Sequence, residues 1–198
     1  MSENRSFCQR CYHSWKRRRK ELPKVCPKCK NRYWNKPRKK ASKEVILRLV
    51  QEIIRTHENV IKFSGGLKGI REDGGIYNST AKMLNYQLRH KGDAIGLGAF
   101  ILDEFAKRHY FNDGNKRTAY VLSKTFMIIN RCHLVTNYSD SVDFILEVAK
   151  DNSKIKFSDI KKWLKYRCNL IEEGDVKNYL KNILFNLIIE VKENERIN

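Results

Sequence analysis

Two pairs of cysteines near the N-terminus constrain the fold of this chain more than any other feature. Each pair has the spacing Cys-x-x-Cys: Cys8 with Cys11, and Cys26 with Cys29. Between the two pairs lie 14 residues. Two thiolate pairs at this spacing can surround one tetrahedral Zn²⁺, and four cysteine ligands leave no open coordination position. The sequence therefore predicts a structural zinc site, whose metal supplies the folding energy that so short a segment lacks.

The segment around these cysteines, residues 1–36, resembles a zinc ribbon and is strongly basic. Residues 1–40 hold 15 lysines and arginines but only two acids, which gives +13 of the chain's formal charge of +19. Such a segment suggests a polyanionic partner such as nucleic acid. Aromatic residues that can stack on bases alternate here with arginines that can pair with phosphates: Tyr12, Trp15, Tyr33 and Trp34, with Arg17, Arg18, Arg19, Arg32 and Arg38. A second interpretation stays open, in which the aromatics pack around the metal and the charges are only solvated.

The sequence also indicates the compartment. It begins without an apolar signal segment, and no apolar run reaches the length needed to cross a membrane. Cysteines paired for metal binding favour a reducing compartment. We therefore expect a soluble, cytoplasmic protein with no membrane contact. The two remaining cysteines, Cys132 and Cys168, are expected to be ordinary half-buried thiols.

Beyond a basic linker at residues 37–44, apolar residues recur with the period of α-helices. The pattern predicts a mainly α domain over residues 45–170, followed by an amphipathic helix at 171–198. This last helix either closes the core or docks a partner. Predicted helices within the domain include 79–90, a segment that runs up to His109, 115–130, 141–150 and 158–170, and Ile76–Tyr77 is predicted as a short strand.

The most informative segment is 109–119, a polar loop that leads from one apolar helix into another: His-Tyr-Phe-Asn-Asp-Gly-Asn-Lys-Arg-Thr-Ala. Unpaired backbone N–H groups and the helix dipole favour an anion at the start of the second helix. Lys116 and Arg117 would be unfavourable there unless a polyphosphate occupies the site. Gly114 allows the backbone to approach a ligand closely. These features predict a phosphate site.

Two side chains of the same segment suit phosphoryl or nucleotidyl transfer. Asp113 is a hard oxygen ligand suited to Mg²⁺ on the phosphate. His109 is a residue type that can accept a proton near neutral pH. A base, a metal carboxylate and a phosphate site within nine residues therefore fit transfer of a group from a nucleotide. The alternative is an ordinary polar turn between two helices.

This segment resembles the signature of the Fic/Doc family, His-x-Phe-x-Asp-(Gly/Ala)-Asn-(Gly/Lys)-Arg, and agrees with it at every fixed position. The similarity covers roughly residues 45–168 and is closest to the Doc (death-on-curing) branch. Upstream residues resemble the leading segment of that branch, which carries the substrate-docking flap: His57, Gly65, Gly66, Gly69, Arg71 and Asp73. The resemblance implies a Fic/Doc-type helical bundle with a short β flap, preceded here by the zinc ribbon.

The resemblance also implies a role for each residue of the signature. The counterpart of His109 deprotonates the target hydroxyl, and that of Asp113 holds Mg²⁺. The counterpart of Phe111 is buried and anchors the loop. The positions that line the phosphate site are Gly114, Asn115, Lys116 and Arg117. The implied cofactors are Mg²⁺ and ATP or another nucleoside triphosphate, beside the structural Zn²⁺.

Two positions bear on which group is transferred. Adenylylating members of the family usually have Pro at the position of Tyr110 and Gly at that of Lys116, whereas Lys is typical of the Doc branch. There the lysine blocks the usual nucleotide pose, the nucleotide binds reversed, and the γ-phosphate is transferred. The resemblance thus favours a kinase that acts on a Ser/Thr hydroxyl of a target protein. Protein adenylylation (AMPylation) is the alternative, and a zinc-ribbon nucleic-acid-binding regulator is the alternative of another class.

Many family members carry an inhibitory helix with the pattern Ser/Thr-x-x-x-Glu-(Gly/Asn). Glu58, Glu173 and Glu193 are each followed by Gly or Asn, but the residues four places earlier are Ile54, Asn169 and Ile189. Because none is Ser or Thr, inhibition is expected from another chain, as in toxin–antitoxin pairs of the Doc type. The basic surface would suit an acidic antitoxin.

Overall fold

A computed structural model describes residues 5–37 and 40–172 of the chain. The chain divides into two compact units, with the boundary between Lys40 and Ala41. The amphipathic helix predicted for residues 171–198 lies outside the described residues, except for its first two. Within the described ranges, no helix has both the length and the apolar character needed to cross a membrane.

The first unit contains one short hairpin. Strands β1 (Arg5–Phe7) and β2 (Ser14–Lys16) pair antiparallel, with Ser6 opposite Trp15. The chain reverses between them through the first cysteine pair, where the Tyr12 N–H donates to the Cys8 carbonyl at 2.8 Å. The hairpin thus brings Cys8 and Cys11 into one tight turn.

The small core of this unit is built on cysteine and tryptophan. Cys8, Cys26 and Trp34 are buried, and Trp15 packs edge-on against Trp34 with ring centroids 5.0 Å apart. The indole N–H of Trp34 donates to the Pro23 carbonyl at 2.8 Å. A core of so few residues cannot supply the stability of a folded unit by burial alone.

The second unit is mainly α, which confirms the predicted fold class. Its helices are α1 (Lys43–Ser64), α2 (Asp73–Arg89), α3 (Ala94–Lys107), α4 (Asn115–Ile129), α5 (Tyr138–Val148) and α6 (Phe157–Tyr166). Two short strands, β3 (Cys132–Leu134) and β4 (Cys168–Leu170), pair antiparallel with Leu134 opposite Cys168.

Three of the helices begin at a polar side chain that caps them. Ser42 accepts from the Val45 N–H, Asp93 accepts from the Gly96 N–H, and Asn137 caps α5 in the same way. Each bond satisfies a backbone donor that the first helical turn leaves unpaired. Helix α4, like α2, has no side-chain cap, and the residue before α4 is a glycine.

Helix α3 lies at the centre and packs against α2, α4, α5 and α6. Its apolar side chains are almost fully buried, as at Leu97, Ile101 and Leu102. The contact with α4 is close at Gly98, where an added Cβ would lie 2.5 Å from the sulfur of Met127. Because α3 and α4 are packed rigidly together, the loop that joins them is held between two fixed ends.

The prediction of a strand at Ile76–Tyr77 is wrong, since both residues lie in α2. The preceding Gly74 and Gly75 suggest a turn, but they form the first turn of the helix. Gly75 is needed for packing, because a Cβ there would lie 2.5 Å from a ring carbon of Tyr110. Ile76 is fully buried, so tertiary packing outweighs the local turn signal.

The prediction of one helix over 158–170 is also wrong at its C-terminal end. Helix α6 stops at Tyr166, and the next residues form β4, which pairs with β3. Cys132 and Cys168 are joined by a disulfide across this pair. The expectation that both are free thiols is therefore incorrect. The two cysteines lie 36 residues apart, so no local pattern marks them as partners.

Candidate active site

The loop between α3 and α4 carries the predicted catalytic residues. His109 lies just beyond the end of α3 and is exposed. Asp113 and Gly114 end the loop, and α4 begins at Asn115. The structure thus places the candidate base, the candidate metal ligand and the first helical turn on one continuous junction.

Gly114 is required by backbone conformation and by packing. It precedes α4 in the left-handed region, with φ 70° and ψ 8°, which favours glycine. An added Cβ would lie 2.7 Å from Cδ1 of Ile61, on α1. The missing side chain of Gly114 thus faces α1 and allows the loop to pack closely on the core. Its predicted approach to a ligand stays a prediction.

The side chain of Asn115 holds the loop in place. Its Oδ1 accepts from the Phe111 N–H at 2.9 Å, and its Nδ2 donates to the Phe111 carbonyl at 2.8 Å. Both polar atoms of the side-chain amide are thus hydrogen-bonded to the backbone of Phe111. What Asn115 can offer a phosphate is its own backbone N–H, one of the donors that the start of a helix leaves unpaired.

The side chain of Phe111 anchors the same loop to α1. It is buried, as predicted, and its ring stacks on that of His57 with centroids 3.7 Å apart and planes within 6°. His57 is also buried, and its Nδ1 forms a hydrogen bond with the Thr118 hydroxyl at 3.1 Å. This stack connects α1, the loop and the first turns of α4.

His57 is a buried histidine whose protonation is disfavoured. Desolvation lowers its pKa from the ordinary 6.5, the charge of Arg117 lowers it further, and Glu58 opposes the shift. Among the described residues, its Nε2 has no hydrogen-bond partner. Burying a second N–H there would leave that donor unpaired as well as charged. His57 is therefore neutral in the folded protein at neutral pH.

This shift predicts that the fold loses stability in mild acid. Below pH 6.5 the unfolded chain binds a proton at His57 that the folded chain resists, so the free energy of unfolding should fall from about pH 6.5 downwards. His133, whose pKa is lowered by desolvation and by Lys124, adds to the same trend. In urea titrations between pH 7 and 5, His57→Gln should have a shallower dependence on pH than the wild type. Equal slopes would show that His57 does not resist protonation.

Asp113, two residues before the start of α4, is ionised and half-exposed. Its Oδ1 accepts from the Gly114 N–H at 2.5 Å, and its Oδ2 accepts from Nη2 of Arg117 at 3.3 Å. The Gly114 bond lowers the pKa of this carboxyl most, the charge of Arg117 lowers it further, and partial desolvation opposes them. A carboxylate that is charged and accessible suits a hard cation such as Mg²⁺.

Arg117 links α4 to the end of α1. Its Nη1 donates to the carbonyls of Ser64 and Gly65, at 3.0 and 2.8 Å, and also to the Ser64 hydroxyl. Carbonyls at a helix C-terminus favour a cation. The guanidinium therefore has a partner on α1 as well as on Asp113, and its predicted contact with phosphate stays a prediction. Lys116, one residue earlier, is half-buried.

The segment between α1 and α2, residues 65–72, which we call the flap, lies along the loop through backbone hydrogen bonds. Ile70 forms an antiparallel bridge with Phe111. The Asn112 N–H donates to the Gly69 carbonyl at 3.0 Å, and the Arg71 N–H donates to the Tyr110 carbonyl at 2.7 Å. The flap is thus held against the candidate catalytic loop.

Gly66 allows the flap to approach Asp113. Its φ of +122° is one that L side chains rarely adopt, and an added Cβ would clash with Oδ2 of Asp113. Gly66→Ala should destabilise the protein by about 1–3 kcal/mol and speed hydrogen exchange at the Asn112 amide. Gly74→Ala is the matched control, because nothing lies within 4 Å of its Cβ position. Equal unfolding temperatures for the two variants would contradict this packing.

The four N-terminal cysteines form a separate cluster. Their sulfurs all lie within 4.8 Å of one another, with Cys8–Cys29 at 3.8 Å and Cys11–Cys26 at 3.7 Å. Tetrahedral Zn–S bonds of about 2.3 Å place sulfurs about 3.8 Å apart. The Arg10 N–H also donates to Cys8 Sγ at 3.3 Å, a bond that stabilises thiolate. The cluster therefore fits one zinc ion.

The aromatic residues of this unit divide between the two interpretations that the sequence left open. Trp34 is buried against the cysteines, with Trp15 packed on it. Tyr12 and Tyr33 are instead exposed. Packing around the cysteine cluster therefore explains the tryptophans and leaves the tyrosines unexplained.

Sequence reasoning missed three contributors to the candidate active site: His57 as the stacking partner of Phe111, Ser64 as the acceptor for Arg117, and Thr118 as the partner of His57. Of these three, His57 is among the residues that resemble the Doc branch, so the sequence contained a signal for it. Ser64 lies 53 residues before Arg117, and no spacing in the sequence joins the two.

Residues 42–127 match the family model described as the Fic/DOC family. No curated protein matches the chain. The matched range begins one residue before α1 and ends inside α4, so it includes the flap and the whole loop between α3 and α4.

Proposed function

We propose that residues 42–127, which match the Fic/DOC family model, form a domain of that family, and that the protein transfers phosphate from a nucleoside triphosphate to a Ser/Thr hydroxyl of a target protein. The family indicates a protein-modifying transferase in general. The observation that carries the proposal is the junction before α4, where an uncapped helix start, an ionised Asp113 and an exposed His109 share one loop.

In the proposed reaction, His109 takes the proton of the target hydroxyl while the hydroxyl oxygen attacks the γ-phosphorus. The bond between the γ-phosphorus and the β,γ-bridging oxygen breaks, and the nucleoside diphosphate leaves with that electron pair. The target gains a phosphoester, and His109 returns its proton to solvent. The exposure of His109 fits this role, because the hydroxyl of a protein substrate must reach it.

The start of α4 is the proposed phosphate site. The backbone N–H groups of Asn115, Lys116 and Arg117 belong to its first turn, where a helix lacks internal acceptors. The cap residue is a glycine and has no side chain to compete with an anion. The Asp113 carboxylate bonds to the N–H of this glycine, one residue before the first turn. Bound Mg²⁺ would neutralise charge on the phosphates, and Asp113 is the residue that would hold it.

Lys116 supports phosphate transfer over AMP transfer. In adenylylating relatives of this family the position usually holds glycine, and the lysine typical of the Doc branch goes with a reversed nucleotide. Lys116 is half-buried in the first turn of α4, next to the proposed phosphates. A side chain at that point occupies space that glycine would leave to the nucleotide.

Labelled ATP separates the two reactions. The protein is incubated with Mg²⁺ and a cell lysate, in parallel with [γ-³²P]ATP and [α-³²P]ATP, and labelled proteins are resolved by electrophoresis. Transfer of the γ label alone supports the kinase. Transfer of the α label supports adenylylation and would overturn the proposed reaction. Label from neither position, in protein that is folded by circular dichroism, would overturn the transferase itself.

We further propose that the enzyme acts in the cytoplasm as the toxin of a toxin–antitoxin pair. The support is that the pairs at Glu58, Glu173 and Glu193 lack the Ser/Thr of the inhibitory pattern. An enzyme without an inhibitory helix of its own needs a second chain to hold it inactive, and a net charge of +19 suits an acidic one. Expression alone should slow growth, and His109→Ala should remove that effect.

A further inference from the structure

Two aromatic rings in the N-terminal unit face solvent as a pair. Phe7 and Tyr12 are 49% and 70% exposed, and their ring centroids lie 6.0 Å apart. The core of this unit uses other residues, chiefly Cys8, Cys26 and Trp34. The pair therefore adds little to the stability of the fold and presents two ring faces to a ligand.

Tyr12 is placed there at a conformational cost. It directly follows Cys11 and has φ +61°, and Lys30 follows Cys29 in the same way with φ +58°. Glycine adopts this region without strain, whereas a bulky side chain does not. Because the Tyr12 ring is mostly exposed, packing does not offset the strain. The equivalent conformation at Lys30 shows that the cysteine turn imposes it, so position 12 would accommodate glycine without strain.

Positive charge surrounds the pair. Phe7 and Tyr12 line a cavity of about 420 Å³ together with Gln9, Arg10, Pro37 and Lys40, so its lining holds two cations and no acid. The Nε of Arg10 donates to the Tyr33 carbonyl at 3.0 Å, which orients the guanidinium. The whole segment 1–40 carries a net +13. The chemistry of this lining suits an anion that carries flat apolar groups.

We propose that this aromatic–basic surface, formed by Phe7, Tyr12, Arg10 and Lys40, binds single-stranded nucleic acid. Bases stack on the two rings, and the backbone phosphates pair with the cations. A single strand is favoured because its bases are free to leave their own stack, whereas those of a duplex are already paired and stacked. An acidic protein would use the charges but has no comparable need for the two ring faces.

The proposal is tested on the full-length, zinc-loaded protein with a fluorescein-labelled 20-nucleotide single strand, read by anisotropy at several salt concentrations. The same oligonucleotide as a duplex, and heparin, serve as comparison probes. We expect the single strand to bind more tightly than the duplex. Equal affinity for all three probes would show that charge alone explains the binding and would overturn the proposal. The absence of binding would overturn it as well.

Tyr12→Gly is the decisive variant, because it removes the ring and also relieves the backbone. The variant should retain zinc and still lose about fivefold or more in affinity for the single strand, the effect of removing one stacked aromatic. Its affinity should keep the same dependence on salt, since no charge is lost. Leu22→Ala is the matched control, because Leu22 is an exposed apolar residue of the same unit (60%) outside the surface. Wild-type affinity in Tyr12→Gly would overturn the assignment.

Discussion

His109→Ala is expected to lower transfer of the ³²P label to protein by about 10²–10⁴-fold, the usual contribution of a positioned general base. The loss should appear in turnover, while nucleotide binding changes little, because the phosphates are proposed to contact the start of α4. His109 is exposed and lies in the loop beyond α3, so the substitution should leave the unfolding temperature unchanged.

His90→Ala provides the matched control for this variant. His90 is also an exposed histidine of the same unit and directly follows a helix, α2, but it lies outside the candidate site. It should retain full activity. Transfer or growth inhibition that persists in His109→Ala would remove the imidazole from the mechanism.

Loss of zinc is expected to unfold the N-terminal unit and spare the helical unit. Binding of structural zinc contributes about 10–16 kcal/mol in small zinc domains, far more than a core built on Cys8, Cys26 and Trp34 can replace. Cys26→Ser should therefore contain no zinc by mass spectrometry of metals and should be cleaved by trypsin within the basic segment 1–40. The helical circular dichroism should change little, because the described part of this unit contains two three-residue strands and no α-helix.

Cys132→Ser serves as the control for cysteine substitution in general. It removes a cysteine of the helical unit that takes part in the disulfide with Cys168. This variant should keep one zinc ion per chain and the protease resistance of residues 1–40. A zinc content of zero in both variants, or of one in both, would contradict the assignment of the metal to the four N-terminal cysteines.

The parts of the structure that could be predicted are those with a local signal. Paired cysteines at fixed spacing, helical periodicity and the polar loop before α4 are each contained in a short stretch of sequence. The predicted helix at 115–130 agrees with α4 to within one residue. A helix forms its backbone hydrogen bonds within itself, and the period of its apolar residues shows which face is buried.

The parts that could not be predicted depend on partners distant in sequence. Gly74 and Gly75 suggest a turn, and only the ring of Tyr110 explains why a helix begins there. Cys168 ends a helical pattern because its strand pairs with β3. Likewise, the contacts of Arg117 with Ser64 and of Phe111 with His57 arise from the packing of α1 against the candidate catalytic loop and the start of α4.

The central claim is that nucleotide phosphates bind at the start of α4, and the backbone amides there test it most directly. The ¹⁵N-labelled protein is titrated with ATP and Mg²⁺, and amide chemical shifts are followed by NMR. We expect saturable changes that are largest at Gly114, Asn115, Lys116 and Arg117 and that depend on Mg²⁺. Changes confined to the basic segment 1–40, or no changes at millimolar nucleotide, would contradict the account.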